Sequence, residues 1–220
     1  VQIQARGTQA AAELPPYDEK LLRVEMSLFP DWLLQRHLSL ELNPREARVL
    51  QEAMTALVAN ALEQPQVFVH RDYHSRNLMV CPEANPGIID FQDAVRGGLT
   101  YDLVSLLRDS YIAWPQARVV GWALEFRRLA IAAGLSAGRD EAQFLRWFDL
   151  MGVQRHLKVG GIFARLCHRD GKPGYLADVP RTLQYAVDSC ARHADFSELG
   201  KLIATRVLPA VIARLEGHTR

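Results

Sequence analysis

FVHRDYHSRNLMV, residues 68–80, decides how this chain is read. Polar residues from His70 to Arg76 lie between two short apolar runs, QVFV at 66–69 and NLMV at 77–80. A third run, GIID at 87–90, follows CPEANPG, whose two prolines, asparagine and glycine make a turn composition. Residues 66–91 therefore read as a strand, a loop and a hairpin, with the polar run as the loop. A turn alone needs neither a His-Arg pair nor an Asp, so these residues raise the question of chemistry.

Outward from this unit the period changes to that of helices. Upstream, residues 18–38 carry apolar positions at helical spacing, and Pro30 is expected to break or kink that helix. A clear helix follows to about Glu63, with Asn43 as N-cap, Pro44 in the first turn and Glu46 three residues after the cap. Downstream of Gly97-Gly98, Thr100 is placed to cap YDLVSLLRDSYI, and Pro115 opens a helix over 116–133. A long helix from Asp140 carries Gly160-Gly161 as an expected bend, and two amphipathic helices, 178–194 and 196–216, follow it. The pattern is α+β and mainly helical, with the charged loop inside its one small β unit.

Bulk properties remove several classes of function. Apolar residues make up 49% of the chain, enough for a packed core, and the net charge of +1 gives no polyanion-binding signal. There is no basic-aromatic stripe, so no nucleic-acid partner is expected. Cys81, Cys167 and Cys190 form neither a disulfide framework nor a zinc pattern, which suits a reducing, cytoplasmic compartment. No apolar run is long enough to span a membrane. The chain opens without Met, basic n-region or apolar h-region and reads as the tail of something longer.

His70-Arg71-Asp72 followed by Asn77 fits H-R-D-x-x-x-x-N, the pattern of the protein-kinase catalytic loop. Asp90, in IIDFQD, resembles the Asp of a D-F-G segment, with Gln92 where the Gly would stand. Phosphoryl transfer asks a protein for a carboxylate that orients a hydroxyl and for oxygen ligands that hold Mg2+ on the phosphates. Asp72 has the first chemistry, and Asn77 and Asp90 the second. An isolated His-Arg-Asp arises by chance, and an Asp after a strand commonly caps a turn. Three elements at this mutual spacing, each at the end of a strand-like run, favour a site. His70 by itself reads as a packed histidine bonded to the loop backbone.

Longer stretches carry a wider resemblance. VHRDYHSRNLMV, GIIDFQDAVRGGLTYDLVSLLRD and MGVQRHLKVGGIFARLCHRDGKPGYLADVPRTLQY resemble the aminoglycoside phosphotransferase superfamily, and the third points to its N-acetylmuramate/N-acetylglucosamine anomeric kinase branch of cell-wall recycling. The resemblance implies the C-terminal lobe of a protein-kinase-like fold as a single domain over 1–220. Residues 1–65 would be helical, 66–98 would hold the catalytic loop and metal-binding hairpin, and 99–220 would form the helical acceptor-binding part. It implies ATP and Mg2+ as cofactors, a small sugar as acceptor, Asp72 as catalytic base and Asn77 and Asp90 as metal ligands. Asp102 and His70 would brace the loop, although Asp102 also suits a plain acid near a helix N-terminus. Arg76, Asp93, Arg155 and His156 are candidate substrate or phosphate contacts. Arg76 is equally a solvated or structural arginine, Asp93 a turn former, and Arg155 and His156 members of a solvated helix face.

One departure stands out. Kinases of this type carry an N-terminal lobe with a nucleotide-covering loop, a strand Lys and a helix Glu, whereas here only Lys20 precedes the catalytic loop and no Gly-rich turn lies upstream. The 220 residues by themselves are therefore expected to be inactive. Two readings follow, a sugar kinase represented by its acceptor lobe or a non-catalytic binding module. Other acceptors of the superfamily, aminoglycoside, choline or homoserine, are the further alternatives. Residues 139–220 hold 13 Lys/Arg against 9 Asp/Glu, a balance that opposes a polycationic acceptor and tolerates a neutral or carboxylate-bearing sugar.

Overall fold

In the computed structural model, which describes residues 1–217, the chain divides into two compact units. The first comprises Val1–Glu19 and Asn60–Met151, and the second Lys20–Ala59 and Gly152–Arg220. Helices α1 (Gln2–Arg6) and α2 (Thr8–Ala11) open the first unit, and α3 (Glu19–Leu28) leads into the second. The strands are β1 (Gln66–Val69), β2 (Leu78–Met79), β3 (Gly87–Ile88) and β4 (Val95–Gly98). Helices α5 (Tyr101–Leu107) and α6 (Gln116–Ala132) follow, and α4 (Pro44–Glu63) and α7 (Glu141–Asp170) contribute residues to both units. The second unit closes with α8 (Val179–Cys190), α9 (Ser197–Leu202) and α10 (Leu208–Gly217). The architecture is mainly helical α+β.

The first unit positions the loop. Strand β1 pairs antiparallel with β4, Val69 opposite Val95, and β2 pairs antiparallel with β3, Leu78 opposite Ile88. The β2–β3 hairpin is the one expected from its turn composition. Strand β4 is not among the expected strands, and glycine in a strand interior weakens it. The glycines serve close approach instead: a Cβ on Gly97 would lie 3.1 Å from the Tyr17 side chain, and one on Gly98 3.2 Å from the Ala61 carbonyl oxygen. Helix α5 ends at Leu107, short of the expected Ile112. Thr100 makes no side-chain cap; its hydroxyl donates to Gln64 Oε1 at 2.8 Å. Tyr17 packs edge-on against Tyr101, and Phe144 and Phe148 are fully buried.

In the second unit, Pro30 does not stop its helix. The chain continues from α3 through Phe29–His37 in wider π-helical turns, with Leu38 N–H bonded to Leu33 O at 3.0 Å. A proline removes one N–H from the ladder and clashes with the preceding turn, and a widened helix relieves both. Asn43 caps α4 as expected. Its Oδ1 accepts the N–H groups of Arg45 and Glu46 at 3.0 Å each, and Glu46 Oε2 accepts the Asn43 N–H at 2.9 Å. Helix α7 runs unbroken through Gly160-Gly161. A Cβ on Gly161 would fall 2.3 Å from the Leu28 backbone carbon, so the glycine permits close helix contact where a bend was expected. The 178–194 segment is shorter than expected, and 196–216 is divided by π-helical turns over Ile203–Val207. No helix among the described residues is long and apolar enough to cross a membrane.

Candidate active site

The loop leaves β1 at Val69 and is held at once by a carboxylate. Asp102, in the first turn of α5, accepts the backbone N–H of His70 through Oδ2 at 2.8 Å and that of Arg71 through Oδ1 at 3.1 Å. Arg71 has φ 74°, a left-handed conformation that a side chain with Cβ disfavours. Two N–H bonds to one buried carboxylate are the kind of local constraint that keeps such a residue in place. Asp90, on the other side of the site, also has positive φ, 70°. The neighbouring side chains fit the strain, since the Arg71 guanidinium donates to the Asp93 carbonyl at 3.2 Å.

Asn77 ties the loop to the hairpin. Its Nδ2 donates to the Asp72 carbonyl oxygen at 3.0 Å and to Asp90 Oδ2 at 3.1 Å, while its own carbonyl accepts the Ile89 N–H at 3.2 Å. Gln92 Nε2 donates to Asp90 Oδ1 at 2.8 Å. This bond is the largest influence holding the Asp90 carboxyl below its usual range; burial opposes it, and the Asn77 contact and the nearby imidazoles of His70 and His74 add smaller lowering effects. The glutamine that replaces the glycine of a D-F-G segment thus has a physical role. Asp72 is half-buried, and the loop folds over its carbonyl, which also accepts the His74 N–H at 2.9 Å.

The residues present fit a hard cation. The Asn77 amide nitrogen is committed twice, which leaves Oδ1 as its remaining polar atom, and each Asp90 oxygen takes one N–H and keeps lone-pair capacity. An amide oxygen beside an ionised carboxylate is a partial oxygen shell of the kind Mg2+ takes when phosphate and water supply the rest. Among the described residues no three His, Cys, Asp or Glu side chains gather as a metal site, so a closed protein cage of the zinc type is absent from them.

The other candidates fall elsewhere. His70 is buried, but neither ring nitrogen meets a hydrogen-bonding partner among the described residues. Its ring packs edge-on against Tyr73, with centroids 5.8 Å apart. The packing expected of His70 is present, but the expected bond from its ring to the loop backbone is not found among the described residues; the residue is held instead by its own backbone N–H, which donates to the Asp102 carboxylate. The Arg76 guanidinium lies over the Tyr111 ring, 3.5 Å from the centroid. Asp93 is exposed and meets the loop through its carbonyl. Arg155 and His156 belong to the second unit and are buried, His156 stacked on Tyr185, so the solvated-face alternative does not hold for them. His168 Nε2 lies 3.0 Å from His37 Nδ1, a pair no spacing rule suggested. Asp109 was also missed. It is fully buried, and its Oδ2 accepts the Ser75 N–H at 2.9 Å. Its position just past a helix end carries no recognisable motif.

A short helix bearing a carboxylate under the loop, with an Asn-Asp pair across a hairpin, places the chain in the class of kinase-like C-terminal lobes. Residues 4–145 match the phosphotransferase enzyme family, and the chain belongs to that family. It is 51% identical over 203 residues to an N-acetylmuramate/N-acetylglucosamine kinase of Pseudomonas aeruginosa, covering 92% of this chain and 60% of the relative. Relatives of the same name occur in Pseudomonas putida, 51% identical with 88% and 57% covered, and in Neisseria meningitidis serogroup B, 43% identical with 93% and 61% covered. The chain thus spans about three fifths of the length of these curated relatives.

Proposed function

We propose that the protein carrying this chain transfers the γ-phosphoryl group of ATP, with Mg2+, to the anomeric hydroxyl of N-acetylmuramate or N-acetylglucosamine. The observation that carries this reading is the arrangement of Asp72, Asn77 and Asp90 around one loop and one hairpin, in a chain whose relatives bear that name. Asp72 orients the acceptor hydroxyl and takes its proton as the bond to phosphorus forms. Asn77 Oδ1 and Asp90 would hold the cation, which would supply positive charge to the phosphate oxygens. Asp102 keeps His70 and Arg71, and through them Asp72, in place. An anomeric hydroxyl is more acidic than an ordinary alcohol, which suits a carboxylate as proton acceptor in a loose transition state. The reading makes 1–220 one kinase-like acceptor lobe in cell-wall recycling and places the protein in the cytoplasm, where ATP and its free cysteines fit.

Phosphorus NMR of the product formed by the full-length protein tests it. A sugar 1-phosphate, labile in mild acid, is expected. An acid-stable 6-phosphate, or phosphate found only on an aminoglycoside or choline, overturns the sugar-kinase reading.

A further inference from the structure

We infer that Asp109 is a second positioning residue for phosphoryl transfer, holding the downstream half of the catalytic loop as Asp102 holds its start; the inference rests on the kinase reading above. The two acids stand at opposite ends of the seven-residue helix α5. Asp102 lies in its first turn, and Asp109 lies two residues past Leu107. The helix spans about 10 Å at 1.5 Å per residue, so it acts as a stiff spacer between two grips on one loop. Asp102 binds the N–H groups of His70 and Arg71. Asp109, 1% exposed, binds the Ser75 N–H through Oδ2 and the Tyr111 N–H through Oδ1, both at 2.9 Å.

The second bond matters because Tyr111 is itself part of the clamp. Its ring receives the Arg76 guanidinium at 3.5 Å and packs edge-on against His74, centroids 5.6 Å apart. Ser75 is therefore gripped through its backbone, and the residues on either side of it are gripped through one aromatic ring. The next residue along is Asn77, whose N–H bonds to the His74 carbonyl at 3.0 Å and whose side chain reaches both Asp72 and Asp90. A shift of the 74–76 turn moves Asn77 directly. Misplacing such a group by about 1 Å can cost about a hundredfold in rate. Charge suits this role, since a buried carboxylate with an N–H on each oxygen is a rigid double acceptor.

Asparagine cannot replace it, since the carboxamide accepts one N–H and turns its own NH2 toward the other. Ser75→Pro offers the complementary deletion. Ser75 begins a 3-10 turn, and His74 before it is already extended (φ −125°, ψ 170°), the conformation a following proline requires, so the N–H is lost with little strain.

In the full-length protein, Asp109→Asn and Ser75→Pro should each lower kcat about tenfold or more and raise the Mg2+ concentration for half-maximal turnover, with the sugar KM changed less than about twofold. The double variant should be no slower than the slower single one, because both act on the one clamp that Asp109 forms with Ser75 and Tyr111. Amide hydrogen exchange at Ser75 should quicken in Asp109→Asn whether or not the protein turns over. Wild-type kcat and unchanged Ser75 exchange in Asp109→Asn, or additive losses in the double variant, overturn the inference. A wild-type protein that phosphorylates no sugar defeats the kinase reading instead, and the exchange measurement then still decides the brace.

Discussion

Asn77 Nδ2 lies 3.1 Å from Asp90 Oδ2, and this contact joins the end of the 70–76 loop to the far strand of the hairpin. The two residues stand 13 positions apart, yet β2 begins beside Asn77 and β3 ends just before Asp90, so pairing the two strands brings them together. Replacing Asp90 by Asn substitutes a neutral oxygen for a charged one at the proposed Mg2+ site. In the full-length protein, Asp90→Asn should raise the Mg2+ requirement and lower turnover by about a hundredfold or more. Initial rates over a Mg2+ titration check this, and wild-type turnover at ordinary Mg2+ would show Asp90 to be a turn residue.

The low-lying Asp90 carboxyl owes most to the Gln92 N–H. Gln92→Leu should therefore move its pKa up toward the ordinary carboxylate value, readable by carbon NMR titration without metal. The sign for stability follows. A carboxyl lowered in the folded state stabilises above its unfolded pKa, about 3.9, and loses that contribution as pH falls through the folded value. The variant should be less stable than wild type near neutral pH and approach it in strong acid. Asp90 is exposed, so the difference should be small.

Both Asp102 oxygens accept a loop N–H, so Asp102→Asn sets an NH2 against one of them. The expected cost is about 1–3 kcal/mol for the unmet buried donor. Urea denaturation should show a lower midpoint, and Arg71, at positive φ, should lose exchange protection first.

Two glycines should respond in opposite directions. Gly161→Ala forces a Cβ to within 2.3 Å of the Leu28 backbone, which no rotamer change relieves, and should cost about 2–4 kcal/mol. Gly121→Ala in α6 meets nothing within 4 Å and should stabilise by about 0.5–1 kcal/mol through helix propensity alone. Paired thermal melts distinguish the two.

The sequence by itself determined several features that depend on neighbours along the chain. The Asn43–Glu46 capping box, the hairpin around CPEANPG and the grouping of Asp72, Asn77 and Asp90 all follow from residue type at short separation, where one turn or one strand pair closes the geometry. Local reading failed at Pro30 and Thr100, and most instructively at glycine. Gly160-Gly161 looks like a bend, because a glycine's freedom suggests a turn when its surroundings are unknown, and Gly97-Gly98 reads only as the boundary before the next helix, not as part of a strand. Only the tertiary structure shows Tyr17, Ala61 and Leu28 pressed against those positions, so that the missing Cβ makes room inside a strand and a helix. Asp109 was hidden for the same reason. Its partner is a backbone N–H 34 residues away, and a backbone donor is identical at every non-proline residue. Residue type can announce a carboxylate, but the packing of α5 under the loop selects which N–H it meets.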